Sequence, residues 1–289
     1  MYPLRVLSHE RSASLMRGVT PAGDALRRFG EELARQGAAQ IGGSFTGLRD
    51  ADALIRTSPE AFLLGVLFTQ GIPAERAWAA PYLLRQRLGH LDVQKLARDT
   101  GEVAAAFVMP PALHRFVHTV PGWIVDAARR LIAEYGGSAS AIWPSGSHVL
   151  DVTRRLLAFQ GIGEKKAAMT VEILMRHFGV PLTGAEFGNV AYDVHVRRVF
   201  LRAGLVAEDS ATAVRDAAQA ACPASPGTLD LAAWLVGRQW CRPRDPRCDE
   251  CRLGAVCPRW TSLGVKGVGV AGRVPMSAPA LLEGSKEQP

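Results

Sequence analysis

Four cysteines packed into 17 residues constrain this chain more than any other feature in it. The stretch "CRPRDPRCDECRLGAVCPRW" spaces Cys241, Cys248, Cys251 and Cys257 as C-x6-C-x2-C-x5-C. In a reducing compartment such a group is expected to hold a metal rather than to form disulfides. Four thiolates suit a tetrahedral zinc or a cubane [4Fe–4S] cluster. Zinc ribbons pair two short knuckles across a longer gap, and here there is one knuckle. The spacing therefore favours iron–sulfur, with zinc as the alternative. Four cysteines leave no coordination position open, so either metal is expected to be structural.

The rest of the chain reads as helix. "SPEAFLLGVLFTQG" (58–71) offers Ser58 as N-cap, Pro59 at the first helical position and Gly71 as a stop, with Phe62, Leu63, Val66 and Leu67 on one face. "GWIVDAARRLIAEYGG" (122–137) turns Ile124, Ala127, Ala128 and Leu131 inward and Arg129 and Arg130 outward. Further helices are predicted over 23–36, 74–88, 147–159, 163–178, 191–203, 209–221 and 227–239, punctuated by Pro and Gly clusters such as "MPPAL" and "WPSGS". Alternating stretches long enough for sheet strands are scarce, and the fold class is all-α. The Gly-, Pro- and Ser-rich tail, 261–289, is expected to be disordered.

Charge and hydropathy narrow the function. With 48% hydrophobic and 21% charged residues the chain is globular, and no apolar run approaches the ~18 residues of a membrane span. The N-terminus lacks the apolar core of a secretory signal, so an intracellular, cytoplasmic protein is expected. A net charge of +7 favours a polyanionic partner. Arg238, Arg242, Arg244, Arg247, Arg252 and Arg259 surround the cysteines, either as counter-charge for thiolates or as a phosphate-facing loop.

"GIGEKKAAM" (161–169) lies between two helical patterns, so it joins helix to helix rather than strand to helix. Lys166 stands where a dinucleotide fingerprint needs a third Gly or Ala, which excludes that motif. A tight glycine turn leaves the first amides of the second helix, at the positive end of its dipole, open to an anion such as a DNA phosphate. Only five lysines occur in the chain, and Lys165 and Lys166 are adjacent here. Downstream, "AYDVHVRRVFLRAG" (191–204) begins a helix at Asp193, by itself an ordinary N-cap.

Glycine hairpin, lysine, the aspartate of "YDVHVRRV" and the cysteine spacing occur here in an order that closely resembles the endonuclease III-like, iron–sulfur branch of the helix-hairpin-helix DNA glycosylases. The likeness covers roughly 58–258. It implies two helical domains flanking a DNA-binding cleft. A six-helix barrel with the hairpin would span 59–182, and an iron–sulfur domain 183–260, joined by the N-terminal segment 1–58. It implies a monomeric, nucleoid-associated base-excision repair enzyme acting on double-stranded DNA that carries damaged bases, oxidised pyrimidines foremost, or abasic sites. Lys165 matches the nucleophile of the bifunctional members, which add AP-lyase β-elimination through a Schiff base. Asp193 would stabilise the positive charge that develops on the sugar. A neighbouring ammonium such as Lys166 would lower the pKa of the attacking amine. Gly161, Ile162, Gly163, Lys166 and His195 would contact DNA, and Gln70 would fill the space left by the extruded base.

Three departures bear on this reading. Gln160 replaces the family's proline before the hairpin glycine. The path from Lys165 to Asp193 is lengthened around "TGAEFGN" (183–189), and "GIP" after Gln70 differs from the usual pattern. "FLLGVLFTQ" has no carboxylate, which argues against the adenine-removing relatives. The alternatives are a DNA-binding member whose catalysis is weak or lost through the insertion, and a zinc-stabilised helical regulator.

Overall fold

In a computed structural model of the chain the described residues are 20–39 and 45–259, the side chains of 37–39 excepted. The expectation for the 261–289 tail lies outside them. The first helices are α1 (Pro21–Ala39), α2 (Arg49–Thr57), α3 (Pro59–Phe68), α4 (Ala74–Leu88), α5 (Val93–Arg98) and α6 (Thr100–Val108). They are followed by α7 (Val120–Tyr135), α8 (Val149–Leu157), α9 (Glu164–Arg176), α10 (Val194–Arg202), α11 (Ala211–Ala221) and α12 (Thr228–Gln239). Among the described residues the only β contact is an isolated bridge between His148 and Thr183, so the fold is all-α. No described helix is long and apolar enough to cross a membrane.

The described residues divide into two compact units, one of 20–34 with 185–259 and one of 35–39 with 45–184. The second unit takes in α2, which the sequence reading placed with the N-terminal segment. Ala51, Leu54 and Ile55 are buried on α2, and it packs against α3 and α4. That unit thus holds eight helices, α2–α9, against the six expected.

α3 is the centre of the second unit. The Ser58 side chain accepts the Ala61 amide at 3.1 Å and Pro59 opens the helix, as the sequence indicates. The helix stops at Phe68, three residues before Gly71. Its burial also differs from the one-faced reading, because every residue from Ala61 to Phe68 is buried. A helix that is apolar all round belongs inside a core. Each large side chain so enclosed contributes about 1.5–3 kcal/mol of transfer free energy. Phe62 stacks on Trp78 at 5.6 Å and meets Phe178 edge-on at 4.8 Å, which fastens α3 to α4 and to the end of α9.

The first unit has its own core. Val196, Val199 and Phe200 of α10 pack with Leu229, Ala232 and Val236 of α12, joined by Leu26 and Phe29 of α1. The helices α10 and α12 approach closely because residue 237 is Gly: a Cβ there would lie 2.9 Å from the His195 carbonyl oxygen.

Candidate functional site

The hairpin α8–α9 is set by its two glycines in different ways. Gly161 has φ +86°, a region open to glycine, and a Cβ on it would lie 2.5 Å from the Trp123 indole ring. Gly163 is the N-cap of α9 in extended backbone, φ −98° and ψ −178°, and supplies no side-chain cap to the helix amides. A helix start left uncapped in this way suits an anion. Ile162, placed among the DNA contacts by resemblance, is turned the other way. Its side chain is buried in the core and its amide donates to the Phe159 carbonyl at 3.1 Å.

The turn after α3 and the hairpin together line a cavity of about 250 Å³. Thr69, Gln70 and Gly71 form one side. Gly161, Gly163, Lys165, Lys166 and Met169 form the other. Sequence reasoning thus named most of this wall but missed Met169, although it stands four residues after Lys165 and so on the same helical face. The Arg115 guanidinium donates to the Gly71 carbonyl at 3.4 Å and lies 5.0 Å from the Phe116 ring, which is partly exposed.

The two lysines separate sharply. Lys165 is exposed. Lys166 is 6% exposed, and its Nζ donates to the Leu67 carbonyl at 2.9 Å and lies 5.4 Å from the Trp123 ring centroid. Burial, aided by the charge of Lys165, lowers its amine from the ordinary lysine value to about 8. The expected tuning of one lysine by the other therefore shows on Lys166. Its amine faces a backbone oxygen inside the unit, not a phosphate outside it.

In the other unit, Asp193 is the N-cap of α10. Its Oδ1 accepts the His195 amide at 2.8 Å and the Val196 amide at 2.9 Å. His195 lies edge-on to Trp234 at 6.0 Å, with Nδ1 3.1 Å from the Arg198 guanidinium. Arg198 also donates to the carbonyls of Gly237 and Cys241, at 2.7 and 2.6 Å. One turn on, Arg202 donates to the Arg242 and Pro243 carbonyls. α10 is thus tied to the segment that opens the cysteine loop.

The loop before Asp193 is ordered. Thr183 exchanges backbone bonds with Ser147 and Val149 beside the start of α8, at 3.0 and 2.9 Å. Ala185–Phe187 make a 3-10 turn that leaves the Phe187 side chain 55% exposed. Past the turn, the Ala191 amide donates to the buried Asp230 carboxylate at 2.6 Å.

Cys241, Cys248, Cys251 and Cys257 line a single small cavity with Arg202 and Arg259. As placed, no three or more His, Cys, Asp or Glu among the described residues are grouped to hold a metal ion. Burial and the neighbouring sulfurs push the Cys251 thiol up to about 11, against a donated bond from the Leu253 amide at 3.4 Å, and burial raises Cys248 as well. The Arg202 guanidinium lies 3.8 Å from Cys241 Sγ. Cys222 is buried and is not among the residues lining that cavity.

No protein-family model matches the chain. Over 135 residues it is 27% identical to Endonuclease III of Thermotoga maritima, a match covering 46% of this chain and 54% of that relative. The matched stretch thus spans about half the length of the relative. Among solved structures, a trapped endonuclease III–DNA covalent intermediate superposes with a TM-score of 0.58 at 18% identity, covering 84% of this chain and 98% of that one. A thermostable thymine-DNA glycosylase superposes at 0.56 and 14% identity, covering 83% and 100%. At these identities the structural likeness speaks for the fold.

Proposed function

We propose that this chain is a member of the helix-hairpin-helix DNA glycosylases, a base-excision repair enzyme that removes damaged bases, oxidised pyrimidines foremost, and then cuts the strand as an AP lyase. The observation that carries the reading is the cavity in which an exposed lysine, a glycine-capped helix start and Gln70 converge.

In this reading the start of α9, at Gly163–Lys165, holds a backbone phosphate at the positive end of the helix dipole. Gln70 enters the duplex from the turn after α3 as the damaged nucleotide leaves the stack. The neutral Lys165 amine attacks C1′, the glycosidic bond breaks and the base departs with its electron pair. The Asp193 carboxylate offsets the positive charge on the sugar in that transition state and takes the proton that the amine loses. Opening of the sugar ring gives a Schiff base. Removal of a C2′ proton then expels the 3′ phosphate by β-elimination, and water releases the lysine.

The four cysteines fit a [4Fe–4S] cluster better than four scattered thiols. All four line one cavity, the Leu253 amide reaches Cys251 Sγ and the Arg202 guanidinium Cys241 Sγ, and burial disfavours the thiolates of Cys248 and Cys251 unless a cationic centre is present. Cys241, Cys248, Cys251 and Cys257 would hold it, and its contribution is to cross-link the loop after α12. Zinc in the same four thiolates is the alternative, to be separated by metal analysis and the iron–sulfur absorbance band.

Incubation with a duplex carrying an oxidised pyrimidine, in the presence of borohydride, tests the reading. A covalent protein–DNA adduct that disappears in Lys165→Ala is expected. Tight binding with neither adduct nor strand cleavage would instead favour a member with weak or lost catalysis, for which the ordered loop ending in exposed Phe187 gives a reason.

A further inference from the structure

We propose that Lys166 is a positioning residue: from the hairpin helix it holds the turn that carries Gln70, so that Gln70 is presented to the space a displaced base leaves. The inference rests on the glycosylase reading and adds a residue to it.

The geometry is specific. Lys166 Nζ bonds a backbone oxygen 99 residues away, that of Leu67, three positions before Gln70. Leu67 lies in the last turn of α3, where the carbonyls carry the negative end of the dipole and a cation from another element is favourable. The next carbonyl, Phe68, accepts from the Gln70 amide at 2.7 Å and pairs with His114 Nε2 at 3.2 Å. Both carbonyls entering the turn are therefore fixed from outside α3. Trp123 sits against Gly161 and beside the Lys166 ammonium, so the same ring braces the hairpin and the strut.

What Lys166 does not do supports the same role. Among the described residues it pairs with no carboxylate. Its partners are a carbonyl oxygen and an indole ring, and burial lowers its amine. A lysine kept dry at that cost and aimed at one backbone oxygen sets a position. Lys165, by contrast, is exposed.

The test uses the full chain and a duplex in which a tetrahydrofuran abasic analogue, which cannot react, stands opposite 2-aminopurine. Affinity is compared with that for the undamaged duplex. Gln70→Ala and Lys166→Met are each expected to reduce the preference for the abasic duplex by about tenfold, and the double variant to be no worse than either alone, since both act through one turn. Lys166→Arg, which keeps donor and charge beside a roomy cavity, should restore the preference. Borohydride trapping on a single-stranded abasic oligonucleotide, which has no opposite strand to fill, should fall by less in Lys166→Met than the preference for the abasic duplex does. A general loss of structure would lower every readout together.

Additive effects, an unchanged preference in Lys166→Met, or equal losses on both substrates would overturn the proposal. If Lys166→Met does not fold, Lys166→Arg decides: preference kept supports the strut, and preference lost with unchanged melting refutes it. A wild-type protein with no preference for the abasic duplex would instead refute the glycosylase reading itself.

Discussion

Gly161 and Gly163 stand two residues apart in one turn, yet the structure asks different things of them. An alanine at 161 would adopt a left-handed φ at about 1–2 kcal/mol and would also press its Cβ into the Trp123 ring. An alanine at 163 meets nothing within 4 Å and keeps an extended backbone, losing only the small preference of an N-cap for glycine. Equilibrium denaturation is expected to show Gly161→Ala destabilised by more than about 2 kcal/mol and Gly163→Ala by less than about 1 kcal/mol. Equal losses would mean that Trp123 does not set the turn. The glycine pair was legible in the sequence because the motif is local. Which lysine faces out was not, since it depends on Leu67 and Trp123, at sequence positions far from 166.

Among the helices, α10 starts at a residue whose cap and whose proposed chemistry separate by substitution. Asp193 caps the helix through Oδ1, so its part in folding is real whatever its part in chemistry. Asparagine caps as well as aspartate, whereas alanine does not, and losing the cap costs about 1 kcal/mol. Asp193→Asn should therefore unfold like the wild type, and Asp193→Ala should be weaker by about that 1 kcal/mol. Both should lose excision by about a hundredfold or more if the carboxylate charge acts in the transition state. Activity retained in Asp193→Asn would reduce Asp193 to a cap. Helix ends of this kind were readable from Ser58, Pro59 and Asp193, because caps are written in one or two residues. The short α5 and α6 went unread, since six and nine residues give too little period to recognise. The period of α3 misled for another reason: a central helix buries every face and has no polar side to mark it.

At the scale of the whole chain, the two units differ in what holds their extremities. The all-α class and the cysteine loop were legible from composition and spacing. The place of α2 was not, because it joins its unit through long-range packing that no local pattern records. α2–α9 enclose a continuous apolar core, so that unit needs no cross-link. From Arg238 to Arg259, by contrast, only Leu253 and Gly254 are buried. Arg198 and Arg202 bind the carbonyls of the first few residues of this stretch, and turns close the rest. Segments that bury so little apolar surface do not order themselves, and metal binding then supplies folding free energy directly. If the four cysteines hold the proposed metal centre, chelation of the protein as isolated, followed by hydrogen exchange, is expected to strip protection from 240–258 and from the ends of α10 and α12 nearest it. The amides of α3, α7 and α9 should keep theirs. Loss spread evenly over both units would show that the metal supports the whole chain. Unchanged protection in the loop would show that the four cysteines hold no structural centre.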